Sequence, residues 1–192
     1  LKRYKMTTRE LERILKEYKI VKSRRKRREA ESISMPFMLT TFSSMIVDEV
    51  PPTQKDFIDN FRKLYPQYRI LGIADRLKRA YASYIQEYHL GYLLKDLFGS
   101  DNVIHSDELD LSGIDYIVKY KGLEFNLHAF VDTPSGRYWR KVKNGRHVFK
   151  GIHLNVPLNY KNSHKVGELS LYTREQIKEL KEKMNKIVSF SQ

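Results

Sequence analysis

The spacing of apolar residues changes near the middle of the chain, from a helical period to a strand period. Before residue 99 the apolar positions recur about every three or four residues, which is typical of amphipathic helices. After it, apolar and polar residues alternate, as in strands with one buried face. The stretch 174–188 returns to the helical period. This order of elements predicts an α/β fold of mixed α+β character, with a central mixed sheet flanked by helices.

Capping and turn signals divide these regions into elements. Thr7 with Glu10 has the spacing of a capping box, as does Thr173 with Gln176, and Gly99 is placed to end a long helix. The predicted helices cover residues 7–33, 53–65, 71–98 and 174–188, with irregular or short helical pieces over 34–52. The predicted strands cover residues 102–105, 113–120, 123–132, 137–142, 146–149 and 151–158. We therefore expect a helical N-terminal region with a basic arm (1–70) and a core (71–192), together forming one compact unit.

Polar side chains interrupt a strand pair that otherwise has the composition of a protein core. The stretch LSGIDYIVKYKGLEFNLHAFVDT carries Asp115 in its first strand, and Glu124, Asn126 and His128 on one face of its second. A short turn at Lys121-Gly122 joins the strands, so we expect Asp115 and Glu124 to lie across from one another. The alternative is a solvated sheet face with ordinary polar residues.

Two neighbouring carboxylates repel each other unless a cation lies between them. Oxygen ligands at such spacing suit Mg²⁺, which keeps several waters and often bridges to a substrate phosphate. A metal ion there activates water and stabilises the charge of a phosphodiester transition state. The acidic pair therefore predicts a magnesium site, in which Mn²⁺ is a possible substitute.

The same residues carry a resemblance to a nuclease family. Asp115 followed by Glu124-Phe125-Asn126 resembles the PD-(D/E)XK signature, an Asp on one strand and an acidic–X–Lys triplet on the next. Many of these nucleases carry a further Glu on the preceding helix, and Glu87 in YIQEYHLGYLL is similar to it. The resemblance implies a restriction-endonuclease-like core in which Asp115, Glu124 and Glu87 bind Mg²⁺, while Asn126 and His128 position the attacking water. The nearest type is a small type II restriction endonuclease, an enzyme of a restriction system.

The chain departs from the nuclease pattern at the lysine position. Asn126 stands there and cannot act as a base, although some type II restriction endonucleases have Gln or Glu at this position and still cleave. His128 and Lys119 are candidates for the missing role. Two alternatives stay open: a non-catalytic nucleic-acid-binding protein derived from a nuclease fold, and an RNA-directed nuclease.

Charge indicates the class of partner. The 36 Lys and Arg residues outnumber the 23 acidic ones, so the net charge is +13, which attracts polyanions such as nucleic acid. The candidate contacts to duplex DNA lie in two basic stretches: Arg24, Arg25, Lys26 and Arg27 in the first, and Arg137, Arg140, Lys141, Lys143, Arg146 and Lys150 in an expected hairpin. Cutting both strands of DNA with so small a chain implies a homodimer.

Two features that the sequence lacks bear on disulfides, metal ligands and location in the cell. The chain has no cysteine, which excludes disulfides and thiolate metal sites and is compatible with a cytoplasmic location. It contains no apolar run of about 18 residues, so we expect no membrane span.

Overall fold

The computed structural model describes residues 5–23, 27–35, 37–106, 108–109, 112–146 and 151–191, and only the backbone of 139, 143–146 and 191. Its α-helices are α1 (Thr8–Lys16), α2 (Arg28–Ser32), α3 (Phe37–Ser44), α4 (Gln54–Leu64), α5 (Ile73–Phe98), α6 (Pro134–Arg146) and α7 (Arg174–Ser191). Its strands are β1 (Val103–Ile104), β2 (Tyr116–Tyr120), β3 (Leu123–Val131), β4 (Ile152–Leu158), β5 (His164–Val166) and β6 (Leu169–Leu171). Two compact units result, one of Leu1–Gln86 with Val166–Leu169 and the other of Glu87–Lys165 with Ser170–Gln192. The division falls after Gln86, whereas the sequence suggested a boundary after residue 70.

The first unit is helical, but its first predicted helix is shorter than expected. The capping box of Thr7 and Glu10 starts α1 as predicted, and the helix ends at Lys16. The following segment is not helical, because side chains take over its backbone amides: Ile20 donates to Glu168 at 2.6 Å and Val21 to Gln54 at 2.8 Å. The predicted helix over 7–33 is therefore wrong for residues 17–23, while the short α2 is helical and residues 24–26 lie outside the described residues.

The second unit contains a mixed sheet. Among the described residues its strand order is β1-β2-β3-β4, with β1, β2 and β3 antiparallel and β4 parallel to β3. Residues 125–128 of β3 are buried on successive positions, which shows that both faces of this strand are covered. The prediction of a mixed sheet flanked by helices is confirmed.

The basic segment after β3 is a helix, whereas the sequence pattern predicted a hairpin. Pro134 opens α6, and the hydroxyl of Thr133 accepts the amide of Gly136 at 3.0 Å. A helix fits here because parallel strands such as β3 and β4 need a long crossover connection. The predicted strand over 137–142 is wrong; of the one over 146–149, residue 146 is helical and 147–149 lie outside the described residues.

Helices α5 and α7 cover one side of the sheet with apolar side chains. This core includes residues from α5, the central strands and α7: Leu90, Leu94, Val118, Phe125, Leu127, Ile177, Leu180 and Met184. The Thr173 and Gln176 box starts α7 as predicted, with bonds of 2.9 and 3.1 Å. In the parts of the chain that the structure describes, no helix has the length and apolar character needed to cross a membrane.

Candidate functional site

The β2–β3 hairpin carries polar residues at both ends. Its turn is Lys121-Gly122, with φ values of 49° and 82°, as predicted for a tight two-residue connection. We call residues 119–124 the hairpin tip, and residues 113–116 with 126–129 the hairpin base. The candidate residues divide between these two ends.

Glu124 lies at the hairpin tip. It pairs in register with Lys119, and the Lys119 Nζ to Glu124 Oε1 distance is 3.6 Å. Both side chains are exposed, at 50% and 63%. Glu124 therefore has a solvated lysine as its partner.

Asp115 lies at the hairpin base, immediately before the first residue of β2. Its amide donates to the Leu127 carbonyl at 3.0 Å. Leu127 is three residues further along β3 than Glu124, a separation of roughly 10 Å at the usual strand rise. The expected pairing of Asp115 with Glu124 around one cation is therefore wrong.

The Asp115 carboxylate is buried and takes part in the sheet. Its side chain is 5% exposed, and Oδ2 accepts the Ala129 amide at 2.6 Å. The Asp115 carbonyl accepts a hydrogen bond from His105 Nδ1 at 2.8 Å. A short bond from a backbone amide to an ionised carboxylate is among the stronger hydrogen bonds. Asp115 thus combines a negative charge with a fixed orientation.

A chain of side chains crosses from β3 to β4 beside Asp115. His128, which is 1% exposed, bonds through Nδ1 to the Gly113 carbonyl at 2.8 Å. Its Nε2 lies 2.9 Å from Nδ1 of His153, and the planes of the two rings are nearly parallel. The Asn126 amide nitrogen lies 3.4 Å from Nε2 of His153. Asn126 and His128 therefore face the same site, as alternation predicted.

Helix α6 brings a cation to this group. Arg140 is buried, and its Nε donates to Asn155 Oδ1 at 2.8 Å. Asn155 is the register partner of His128. Burial lowers the pKa of Arg140 from its usual value, and the negative charge of Asp115 acts in the opposite direction. The guanidinium thus lies within the field of the Asp115 carboxylate.

Glu87 approaches from α5. Its carbonyl accepts the Tyr116 hydroxyl at 2.9 Å, and Gly91 leaves the space into which that hydroxyl fits. Burial raises the pKa of Tyr172 well above its ordinary value, and the charges of Asp115 and Glu87 add to this rise. Both carboxylates therefore act on the same buried hydroxyl.

The predicted DNA-contacting residues are only partly described. On α6, Arg137 forms a 3.4 Å ion pair with Asp132, and Lys141 is exposed. Arg27 is exposed at the start of α2. The side chains of Lys143 and Arg146, and all of Arg24, Arg25, Lys26 and Lys150, lie outside the described residues.

The site was incompletely predicted from the sequence. His153, Asn155 and Arg140 also belong to the network at the hairpin base. The sequence signal for two of them is a shared spacing. His153 and Asn155 are two residues apart, as are Asn126 and His128 on the neighbouring strand.

No group of three His, Cys, Asp or Glu side chains suited to a metal ion occurs among the described residues. In comparisons with known proteins, no family model matches the chain, and no curated protein or solved structure matches it either.

Proposed function

We propose that this chain hydrolyses phosphodiester bonds of duplex DNA, with its active site at the hairpin base. The observation that carries the proposal is the meeting of a buried carboxylate, two bonded imidazoles and a buried guanidinium at one end of β3. A carboxylate can hold a cation, an imidazole can transfer a proton, and a guanidinium suits a phosphate.

The strand register changes how the nuclease resemblance is applied. The residues of β3 beside Asp115 are Asn126, Leu127 and His128, so they take the place that the sequence assigned to Glu124-Phe125-Asn126. Glu87 keeps its position on the helix that precedes the sheet. A mixed sheet flanked by helices supports a restriction-endonuclease-like core, most like a small type II enzyme of a restriction system.

The carboxylates of Asp115 and Glu87 are the groups that would hold Mg²⁺ or Mn²⁺. Two protein carboxylates suffice for Mg²⁺, since this ion keeps several waters and uses substrate phosphates as ligands. The donor type fits such an ion, because carboxylate oxygens are the ligands that Mg²⁺ takes from proteins, and the Ala129 amide fixes the orientation of the Asp115 carboxylate. When bound, the ion supplies activation of water and neutralisation of phosphate charge.

The charge of the chain supports DNA as the partner. A net charge of +13 favours binding to the DNA backbone through release of counterions. Arg140 would contact the reacting phosphate, and Lys141 on the same helix is an exposed cation suited to a phosphate beyond it. Arg137, Lys143, Arg146 and Lys150 are further proposed contacts to DNA. Arg24, Arg25, Lys26 and Arg27 are proposed contacts made by the first unit. Cleavage of both strands would use a homodimer, and the setting we propose is the cytoplasm.

Cleavage of a supercoiled plasmid tests the proposal. We expect nicked and linear products with Mg²⁺, none with EDTA, and a loss of at least about 100-fold for Asp115→Asn, because the amide lacks the charge that holds the ion. DNA binding by Asp115→Asn, measured by fluorescence anisotropy at fixed salt, should stay within a few-fold of the wild type. Undiminished cleavage by this variant would refute the site.

A non-catalytic nucleic-acid-binding protein is the second candidate. It is favoured by Asn126 and His128, which replace charged residues of the nuclease signature, and by the single fully buried carboxylate among the described site residues. Salt-dependent DNA binding without any cleavage would support it. Cleavage of RNA in preference to DNA would instead support an RNA-directed nuclease.

A further inference from the structure

The hydrogen bonds of His153 determine which of its ring nitrogens accepts a proton. The Gly113 carbonyl can only accept, so Nδ1 of His128, 2.8 Å away, carries a hydrogen. Nε2 of neutral His128 then has the lone pair, and it accepts a hydrogen from Nδ1 of His153 at 2.9 Å. The lone pair of neutral His153 therefore lies on Nε2.

The two histidines differ in exposure, as a reacting side chain and the buried side chain that orients it usually do. His128 is almost fully buried between Gly113 and His153, whereas His153 is half-buried. Nε2 of His153 lies 3.4 Å from the Asn126 amide nitrogen, which is beyond the usual length of a strong N–H···N contact. A proton taken up at Nε2 replaces this long contact, whereas the 2.9 Å bond at Nδ1 stays in place.

Charged groups lie on the elements next to β4. Arg140 on α6 is bonded to Asn155, two residues from His153 along the same strand. Asp115 immediately precedes β2, the strand on the other side of β3. From β3, the facing groups are Asn126 and His128, and His128 donates no proton to His153 in the neutral pair.

We propose that His153 is the general base of the reaction, and that His128 is a positioning residue which holds its tautomer. This inference rests on the proposed phosphodiester hydrolysis. A water oxygen forms a bond to phosphorus while its proton passes to Nε2 of His153. The bond from phosphorus to the leaving oxygen breaks, and that oxygen takes a proton from solvent. His153 then returns its proton to solvent. In this arrangement Nε2 of His153 accepts the proton, and Nδ1 of the same ring is bonded to His128, which orients it. A catalytic base oriented by a further side chain is a general pattern in enzymes.

Single-turnover cleavage between about pH 5 and pH 9 tests the role of His153. For the wild type we expect the rate to rise with pH and then level off, as one group loses its proton. His153→Ala should lower the rate by about 10²–10⁴-fold, abolish the rise, and regain part of the rate when imidazole is added. His128→Gln should keep the rise but shift its midpoint. His164→Ala removes an exposed histidine from β5 and should leave both the rate and the profile unchanged.

The outcomes separate this inference from the proposed function. A wild type that cuts no substrate defeats the proposed function, and the role of His153 with it. A wild type that cuts, beside a His153→Ala variant with an unchanged rate or an unchanged pH profile, defeats the role of His153 alone. A folded His153→Ala variant that is slow but gains nothing from imidazole assigns His153 a structural role and also overturns the inference.

Discussion

The two ends of one hairpin carry similar side chains in opposite environments. At the tip, Lys119 and Glu124 face each other at 3.6 Å and are mostly exposed to water. At the base, Asp115 and His128 are at most 5% exposed, and backbone groups bond to both. Water screens the charges at the tip, so an ion pair there contributes about 0–1 kcal/mol. Buried charged and polar groups cost free energy unless they are hydrogen-bonded, so the side chains at the hairpin base have one defined arrangement.

The difference shows that strand alternation identifies a face but not a site. Glu124, Asn126 and His128 all lie on one face of β3, yet only the last two belong to the network that includes His153. The parallel strand β4 and helix α6 cover the base and supply His153, Asn155 and Arg140. The covering elements, and not the strand pattern, make the base a candidate site.

Replacement of His128 by alanine should give the largest change in stability. The variant loses a buried ring and leaves the Gly113 carbonyl and His153 without their present partner, so we expect a loss of about 2–4 kcal/mol. Urea unfolding monitored by circular dichroism measures it. His164→Ala is the matched control and should change stability by less than about 0.5 kcal/mol. If both variants lost the same free energy of unfolding, the hairpin base would not differ from the exposed surface in the way that we describe.

Replacement of an acidic residue at each end compares the two environments directly. Asp115→Ala leaves the Ala129 amide without its acceptor, so we expect a loss of about 1–3 kcal/mol. Glu124→Ala breaks only a solvated ion pair and should cost at most about 1 kcal/mol. Denaturant midpoints of both variants in the same buffer give the ranking. An Asp115→Ala variant as stable as Glu124→Ala would show that the buried bond contributes little.

The smallest effect is expected for the ion pair at the tip. In a double-mutant cycle, Lys119→Ala and Glu124→Ala should show a coupling energy of about 0.2–1 kcal/mol, which decreases as salt rises. Unfolding of the four proteins at low and high NaCl concentration provides the measurement. A larger coupling energy that does not change with NaCl concentration would mean that the hairpin tip behaves like a buried site.

Local signals made much of the fold predictable. Capping boxes at Thr7 and Thr173, and the turn at Lys121-Gly122, involve residues close in sequence, and the structure confirms them. The basic segment was misassigned because residues 134–136, which precede the expected hairpin, are the start of α6. A proline followed by small residues fits both a turn and a helix start.

The candidate site was predicted less well, for two reasons. A two-residue turn sets the register, so Glu124 had to face Lys119, and the sequence already contained this constraint. The contributions of His153 and Arg140 depend on a parallel pairing between strands that a helix separates. No local pattern specifies that pairing, so these residues could not be placed beside Asp115 from the sequence.

Paramagnetic broadening by Mn²⁺ tests most directly whether the site lies at the hairpin base. Mn²⁺ would be titrated into ¹⁵N-labelled protein, with Mg²⁺ as a diamagnetic control, and backbone amide intensities followed along both strands. We expect signals of residues 113–116 and 127–129 to disappear first, while those of 119–124 persist, and Asp115→Asn should remove the effect. Broadening centred on Glu124, or uniform broadening that Asp115→Asn leaves unchanged, would contradict the account.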